Sequence, residues 1–530
     1  MAKPFARARN KFRAAGRRLA KLLRAGPARG PGRRVVALPA PGRGARHPSA
    51  SRVIKRFLGN ISFVVLLNLA VKPGWILVEN LVQDRLGHAA FGLVTALTSL
   101  GIMVAVLADL GLTPYAVRRV AAEPDFLGQE FPVLLPLRAA LGLAALAAAL
   151  PVGWALGYRG PQLGLLAAVT AALLLTQYGQ FLRGPVQARQ HFNTDALLSV
   201  LEKALLLAAI LALLPGGLTL GGYVGARLGA AAFTAALLYG LFTRLFGRVP
   251  YRWHGPRARQ ALRATLPFAL MTLLYGANER IDMVMLERLH SPAEAGYYAG
   301  AYRWVEAVMM YAWTVLPLFF AKFASTPHDA DAQRRLLWFG QRVVAAPLLF
   351  VVAFGLFRGE VLFWQFGHSS PAELAKMALC LRILFLNVLV HAFFAIYSTL
   401  LTSTAHERAV SWAVAGSLAL NVALNLWLLP RFGAVAAACN TLACAAAVSG
   451  AYLVLVARRT GVALPWALLA RLLLAFGLLC GAWWAARAGL RLPWWLEAGL
   501  MAGVFGLIGL GTGLVRLAEI RQLLPGGRDN

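Results

Sequence analysis

"YGANERIDMVML", Tyr275–Leu286, closes the longer stretch "LRATLPFALMTLLYGANERIDMVML" (262–286), which otherwise has the length and apolarity of a membrane-spanning helix. Asn278, Glu279, Arg280 and Asp282 all fall in this stretch. An Asp or Arg at the centre of a lipid-facing helix costs about 2.5 to 3.5 kcal/mol. A helix that tolerates three such charges has to turn them toward other helices or toward water.

The remainder of the chain reads the same way. It has 530 residues, 59% of them hydrophobic and only 14% charged, which is too apolar for a soluble protein of this size. Apolar runs of about 20 residues, separated by Gly, Pro or charge, predict an all-α integral membrane protein with about fourteen transmembrane helices. The runs are 57–80, 90–117, 132–157, 162–182, 195–214, 219–242, 263–286, 295–321, 340–366, 374–401, 409–429, 433–456, 465–486 and 494–515.

A net charge of +32 would suit nucleic acid in a soluble protein, but here it gathers in an N-terminal block and in alternate short loops. That distribution is topological, and no nucleic-acid partner is expected. Connections such as "VRRVAAEPD", "RGPVQARQHFN" and "TRLFGRVPYRWHGPRARQALR" form the Arg-rich set, which puts both termini on the cytoplasmic side of the membrane; the bacterial inner (plasma) membrane is what the family resemblance given below implies. Residues 1–56 read as a basic, disordered cytoplasmic tail whose "FARARNKFRAAGRRLAKLL" can lie on anionic lipid or stay solvated. The other expected divisions are a six-helix lobe 57–242, a basic cytoplasmic linker 243–262, a second six-helix lobe 263–456, two extra transmembrane helices within 465–515, and a cytoplasmic tail 516–530.

Catalytic and cofactor chemistry finds little support. Cys380, Cys439, Cys444 and Cys480 all lie in apolar stretches without metal-ligand spacing, and the His residues are scattered. There is no GxxxxGK[ST] loop for ATP. No catalytic residue, metal or cofactor is expected. The outer loops are short, which argues against a membrane enzyme acting on polyprenyl-linked sugars, since that chemistry needs paired acids on an outer loop.

The two halves repeat. "KPGWILVENLVQDRLGHAAFGLVTAL" aligns with "YGANERIDMVMLERLHSPAEAGYYAGAY", pairing Glu79 with Asp282, Asp84-Arg85-Leu86 with Glu287-Arg288-Leu289, and Gly92 with Gly296. An even number of spans separates the copies, so the repeat is parallel, about an axis along the membrane normal.

These stretches carry a family resemblance. "RLGHAAFGLVTALTS", "LADLGLTPYAVRR", "NERIDMVMLERLHSPAEAGYYAGAYR" and "LTSTAHERAVSWAVAGSLALNVALNLWLLPRFGAVAAACNT" resemble the polysaccharide flippases of the multidrug, oligosaccharidyl-lipid and polysaccharide exporter superfamily, over 57 to about 460. The resemblance implies two parallel-repeat six-helix lobes around a central cavity, with alternating access. It also implies a polyprenyl-diphosphate-linked oligosaccharide substrate, moved from the cytoplasmic to the outer leaflet for cell-surface polysaccharide biosynthesis. The two added C-terminal helices match the fourteen of the superfamily's lipid II flippases, so a peptidoglycan precursor is an alternative; an ion-coupled multidrug exporter is another. Expected partners are the lipid-linked substrate, membrane lipids and other polysaccharide-assembly membrane proteins.

A diphosphate needs cations, and Arg suits it by its fork of donors. At about 1.5 Å per residue, Lys72, Arg227, Arg280, Arg303 and Arg382 land at similar depth, between the midplane and the outer half, and are the candidate substrate-binding residues. Structural alternatives stand beside them: Arg303 can pair with Glu306 at i,i+3, Lys72 can snorkel or pair with Glu79, and Arg280 can pair within its lobe. Glu279 and Asp282 are the ion-coupling candidates, because a carboxyl held away from water takes a proton more readily. They are three residues apart on one helix, while Arg280 points about 100° from Glu279. One face cannot hold all three.

Overall fold

The computed structural model describes residues 74–514, apart from 124, 189–191, 248, 326–328, 405, 463 and 490–491. Lys72 and both predicted tails lie outside the described residues. The described residues form helices and no strand. In chain order these are α1 (74–86), α2 (His88–Asp109), α3 (Leu112–Ala122), α4 (Phe126–Gln129), α5 (Phe131–Ala155), α6 (Pro161–Ala188), α7 (Phe192–Leu213) and α8 (Leu220–Phe246). They continue with α9 (Gly255–Leu289), α10 (Pro292–Ala324), α11 (Ala330–Arg358), α12 (Pro371–Ser403), α13 (Glu407–Arg459), α14 (Trp466–Gly489) and α15 (Trp494–Gly511).

Among the described residues, 10 helices are long and apolar enough to cross a membrane. One of them, α13, is bent at Gly433 and carries two predicted spans, while α1, α7 and α9 fall on the three others. The chain is a multi-pass membrane protein, with helix among the described residues of every predicted span. The bend at Gly433 has φ 57 and ψ −134, a region that suits glycine. A Cβ there would sit 2.4 Å from Glu294 Oε2, the oxygen that accepts a hydrogen bond from the Ala434 amide at 2.7 Å.

One expectation needs correction. The span predicted as continuous from 90 to 117 is broken at Leu110 (φ 43) and Gly111 (φ 76), which separate α2 from α3. The start of α3 is held by Asp109, whose carboxylate accepts from the Thr113 amide at 3.3 Å and from the Thr113 hydroxyl. Within the stretch read as the linker, the residues from Gly255 onward are helical: "GPRARQALR" places Pro at the second helical position and strong helix formers after it.

The chain divides into two compact units. One runs to Glu79 and takes in Leu97–Gly276; the other takes Asn80–Ala96 and the chain from Ala277 onward. The first is centred on Phe131, which stacks on Phe181 at 5.1 Å and on Phe242 at 5.5 Å, so α5, α6 and α8 share one aromatic core. In the second, α14 and α15 pack on α11, with buried Trp483 against Phe354 and Phe357.

That packing is closed by an ion pair in which both Nε and Nη2 of Arg358 donate to Glu497, whose side chain is 0% exposed. Removing one partner of a buried pair leaves an uncompensated charge, at a cost of about 3 to 5 kcal/mol. Arg358→Ala is therefore expected to lower the melting temperature of the purified protein markedly. The double variant Arg358→Met/Glu497→Leu should recover most of that loss, and equal melting temperatures for single and double variants would refute the pairing.

Candidate functional site

The charged cluster within Tyr275–Leu286 lies in the second unit, on α9, where it resolves into three environments. Asp282 is buried at 4% exposure, Glu279 is exposed, and Arg280 is half-buried. The i,i+3 pair of acids thus does not share surroundings, and the Arg takes a third direction.

Asp282 faces α10 and α13. Its Oδ1 accepts from Asn425 Nδ2 at 2.7 Å, and its Oδ2 accepts from the Thr441 hydroxyl at 3.0 Å and the Tyr298 hydroxyl at 3.4 Å. Asn425 Nδ2 also donates to Asn421 Oδ1 at 2.6 Å, and Asn440 Nδ2 donates to Asn425 Oδ1 at 2.9 Å. Asn421 and Asn425 are one turn apart on the same face, and the other limb of α13 brings Asn440 and Thr441 back beside them.

This network is rich in oxygen and short of hydrogen. The Tyr298 and Thr441 hydroxyls lie 2.8 Å apart, both reach Asp282 Oδ2, and Thr441 Oγ1 is also 2.8 Å from the Ala437 carbonyl. Two hydroxyl hydrogens cannot satisfy four such contacts at once. Among the described residues no three His, Cys, Asp or Glu side chains gather as a metal centre, so the oxygen set here is one carboxylate with neutral amides and hydroxyls.

Arg280 pairs with Glu306 of α10 at 2.7 Å, their side chains 26% and 36% exposed. Arg303, a substrate-binding candidate for which the sequence also offers Glu306 as a partner, turns away from Glu306. Its guanidinium is buried, donates to Asn80 Oδ1 and, at 2.9 Å, to Gln83 Oε1, and lies over the Phe91 ring at 4.8 Å. Arg303 thereby fastens α10 to α1 and α2. Arg382 on α12 pairs with Glu360 at 3.2 Å. Arg227, in the first unit, bonds the Tyr223 hydroxyl at 3.4 Å and feels the charge of Glu79. The four described cations therefore hold four different partners.

In the sequence, Asn421, Asn425 and Asn440 read as separate helix cross-links, and nothing ties Glu306 to Arg280. The i,i+4 spacing of Asn421 and Asn425 is the one available signal; their convergence on Asp282 depends on the fold.

Within the second unit the repeat becomes a contact. A Cβ on Gly92 would lie 1.8 Å from the Pro292 carbonyl oxygen, and one on Gly296 would lie 2.1 Å from the His88 carbonyl oxygen. Each carbonyl belongs to the first residue of the facing helix, four positions before that helix's own glycine. The contact reads the same from either side, as a local two-fold axis requires.

The family model described as "Polysaccharide biosynthesis protein" matches residues 57–319. A comparison with curated protein sequences returns no match. Among solved structures, "Lipid II flippase MurJ, inward closed conformation" superposes with a TM-score of 0.67 at 11% identity, covering 84% of this chain and 97% of that one. "Inward-facing conformation of a multidrug resistance MATE family transporter of the MOP superfamily" superposes with 0.60 at 16% identity, covering 74% of this chain and 94% of the other. At these identities the likeness speaks for the fold. The family model matches just under half of the chain, and the helical fold is similar to that of both solved transporters.

Proposed function

We propose that the chain flips a polyprenyl-diphosphate-linked oligosaccharide from the cytoplasmic to the outer leaflet of a bacterial inner membrane by alternating access, without enzymatic chemistry, beside other membrane proteins of polysaccharide assembly. Both termini are cytoplasmic in this reading, and the two six-helix lobes carry the motion. The observation that supports it best is on α9, where a half-exposed Arg280 stands two residues from a buried, oxygen-ringed Asp282. The Arg offers a fork for the diphosphate, and the Asp offers a site for a driving ion. Arg303 is engaged with Asn80 and Gln83, so its part is to hold helices; Arg227 and Arg382 keep partners weak enough to be exchanged.

Deleting the gene tests this directly. A polyprenyl-linked glycan should accumulate on the cytoplasmic leaflet, and the wild-type gene should clear it. Arg280→Gln is expected to cut transport about tenfold or more, since a charge-assisted bond to a diphosphate is worth about 1.5 to 3 kcal/mol. Full rescue by Arg280→Gln would remove Arg280 as a substrate contact. A lipid II-type precursor is the second reading, favoured by the two added helices and by the fold likeness; accumulation of that lipid instead would select it. Export of a small cation, the third, would show as drug sensitivity on deletion with no glycan build-up.

A further inference from the structure

Where α11 ends and α14 ends, two arginines far apart in sequence meet one carboxylate. Arg382 Nη2 is 3.2 Å from Glu360 Oε2, and Arg487 Nη2 is 3.6 Å from Glu360 Oε1. Charge-assisted pairs that are firmly made sit at about 2.7 to 2.9 Å, so both contacts are loose. All three side chains are open, at 41%, 40% and 39% exposure, and the trio carries one positive charge in excess. Arg382 Nε has no hydrogen-bond partner.

The neighbouring pair makes the contrast. Arg358 and Glu497 balance each other one to one, with Glu497 sealed from solvent, as a structural pair does. Arg487 is instead held in place from behind, its Nη1 donating to the Phe357 carbonyl at 2.6 Å while Nη2 stays turned to Glu360. Close by in the chain stand the exposed indoles of Trp364, Trp484, Trp494 and Trp495, the side chains that mark the headgroup level of a bilayer. By the charge distribution of the connections, this end of the helices is the outer one.

We propose that Arg382 and Arg487 form a docking site for the diphosphate of the polyprenyl lipid as it reaches the outer leaflet, with Glu360 as the counter-ion it displaces. The two guanidinium forks already converge on the two oxygens of one carboxylate, and a phosphoryl group presents oxygens of the same kind with more charge. Glu360 keeps the site neutral enough to release its guest. This rests on the flippase reading and gives the added helices a part in it, since α14 brings one of the two cations.

The test uses the full chain in phosphatidylcholine nanodiscs, with a bare polyprenyl diphosphate and phosphatidylglycerol as the two probes and retained lipid read by native mass spectrometry. Arg382→Gln/Arg487→Gln should lower retention of the polyprenyl diphosphate about tenfold, because both charge-assisted bonds to the diphosphate are removed. Glu360→Gln should raise it several-fold, and phosphatidylglycerol should respond little to either. Glu360→Gln tests the site even where the double variant folds poorly. Unchanged or weaker retention with Glu360→Gln overturns the proposal, as does an equal response of both lipids, which would make the cluster a general anionic-lipid contact. A wild-type chain that holds no polyprenyl diphosphate fails the flippase reading itself and this site with it, an outcome distinct from wild-type retention that no variant alters.

Discussion

Gly92→Ala and Gly296→Ala are each expected to leave little folded protein in the membrane fraction, although each adds a single methyl group. The methyl would arrive 1.8 Å from the Pro292 oxygen in one case and 2.1 Å from the His88 oxygen in the other, and both obstacles are backbone. No rotamer can relieve the clash; α2 and α10 would have to part. Parting them breaks what the close approach permits: Gln83 Nε2 donating to the Gly296 carbonyl at 2.8 Å, and the Arg303 bonds to Asn80 and Gln83. Overpacking alone costs about 1 to 3 kcal/mol. The buried Arg303, deprived of those bonds, adds several more. Gly499→Ala and Gly503→Ala, where a Cβ meets nothing within 4 Å, serve as controls and should behave as wild type. Membrane-fraction yield and melting temperature in detergent measure the effect; wild-type values for both Gly92→Ala and Gly296→Ala would refute the close approach.

The meeting of these two glycines was half legible in the sequence. Aligning the repeats set Gly92 against Gly296 as equivalent positions, which marks both as special without saying that their helices touch. Long apolar runs were fully legible, because a helix that crosses lipid must be apolar over about 20 residues whatever it packs against. The break at Leu110–Gly111 was hidden, since "LADLGLTPY" continues the apolar run and its Asp109 cap only acts once the helix has stopped. Charges were the least legible. Local spacing offers Glu306 as one partner for Arg303, yet Asn80 and Gln83, more than two hundred residues away, take Arg303 and leave Glu306 to Arg280. Arg487 gave no sign of its part, because it reads as one more loop cation until α14 folds back against α11.

Asp282→Asn should abolish the gradient-driven part of transport altogether while leaving the protein folded. The amide keeps the shape of the side chain and its place among Asn425, Thr441 and Tyr298, but it carries no charge to balance a proton or a monovalent cation. In proteoliposomes with an imposed gradient, wild-type flipping should fall when the coupling gradient is collapsed, and the Asp282→Asn rate should already equal that collapsed rate. Thr441→Val removes one of the hydroxyls that crowd Oδ2 and should weaken the coupling in part. Glu279→Gln should leave it unchanged, because Glu279 is exposed and bonds to none of this network. Stability supplies a second readout. An ion that binds only the folded state stabilises it by about 2.7 kcal/mol at a hundredfold excess over its Kd, so the wild-type melting temperature should climb with that ion's concentration and that of Asp282→Asn should not. A sodium-dependent rise at fixed pH identifies sodium, and a pH-dependent one without sodium identifies the proton. Wild-type flipping that persists at full rate after both gradients are collapsed would end the coupling role of Asp282. The oxygen-rich network would then serve only to bind α9, α10 and α13 together.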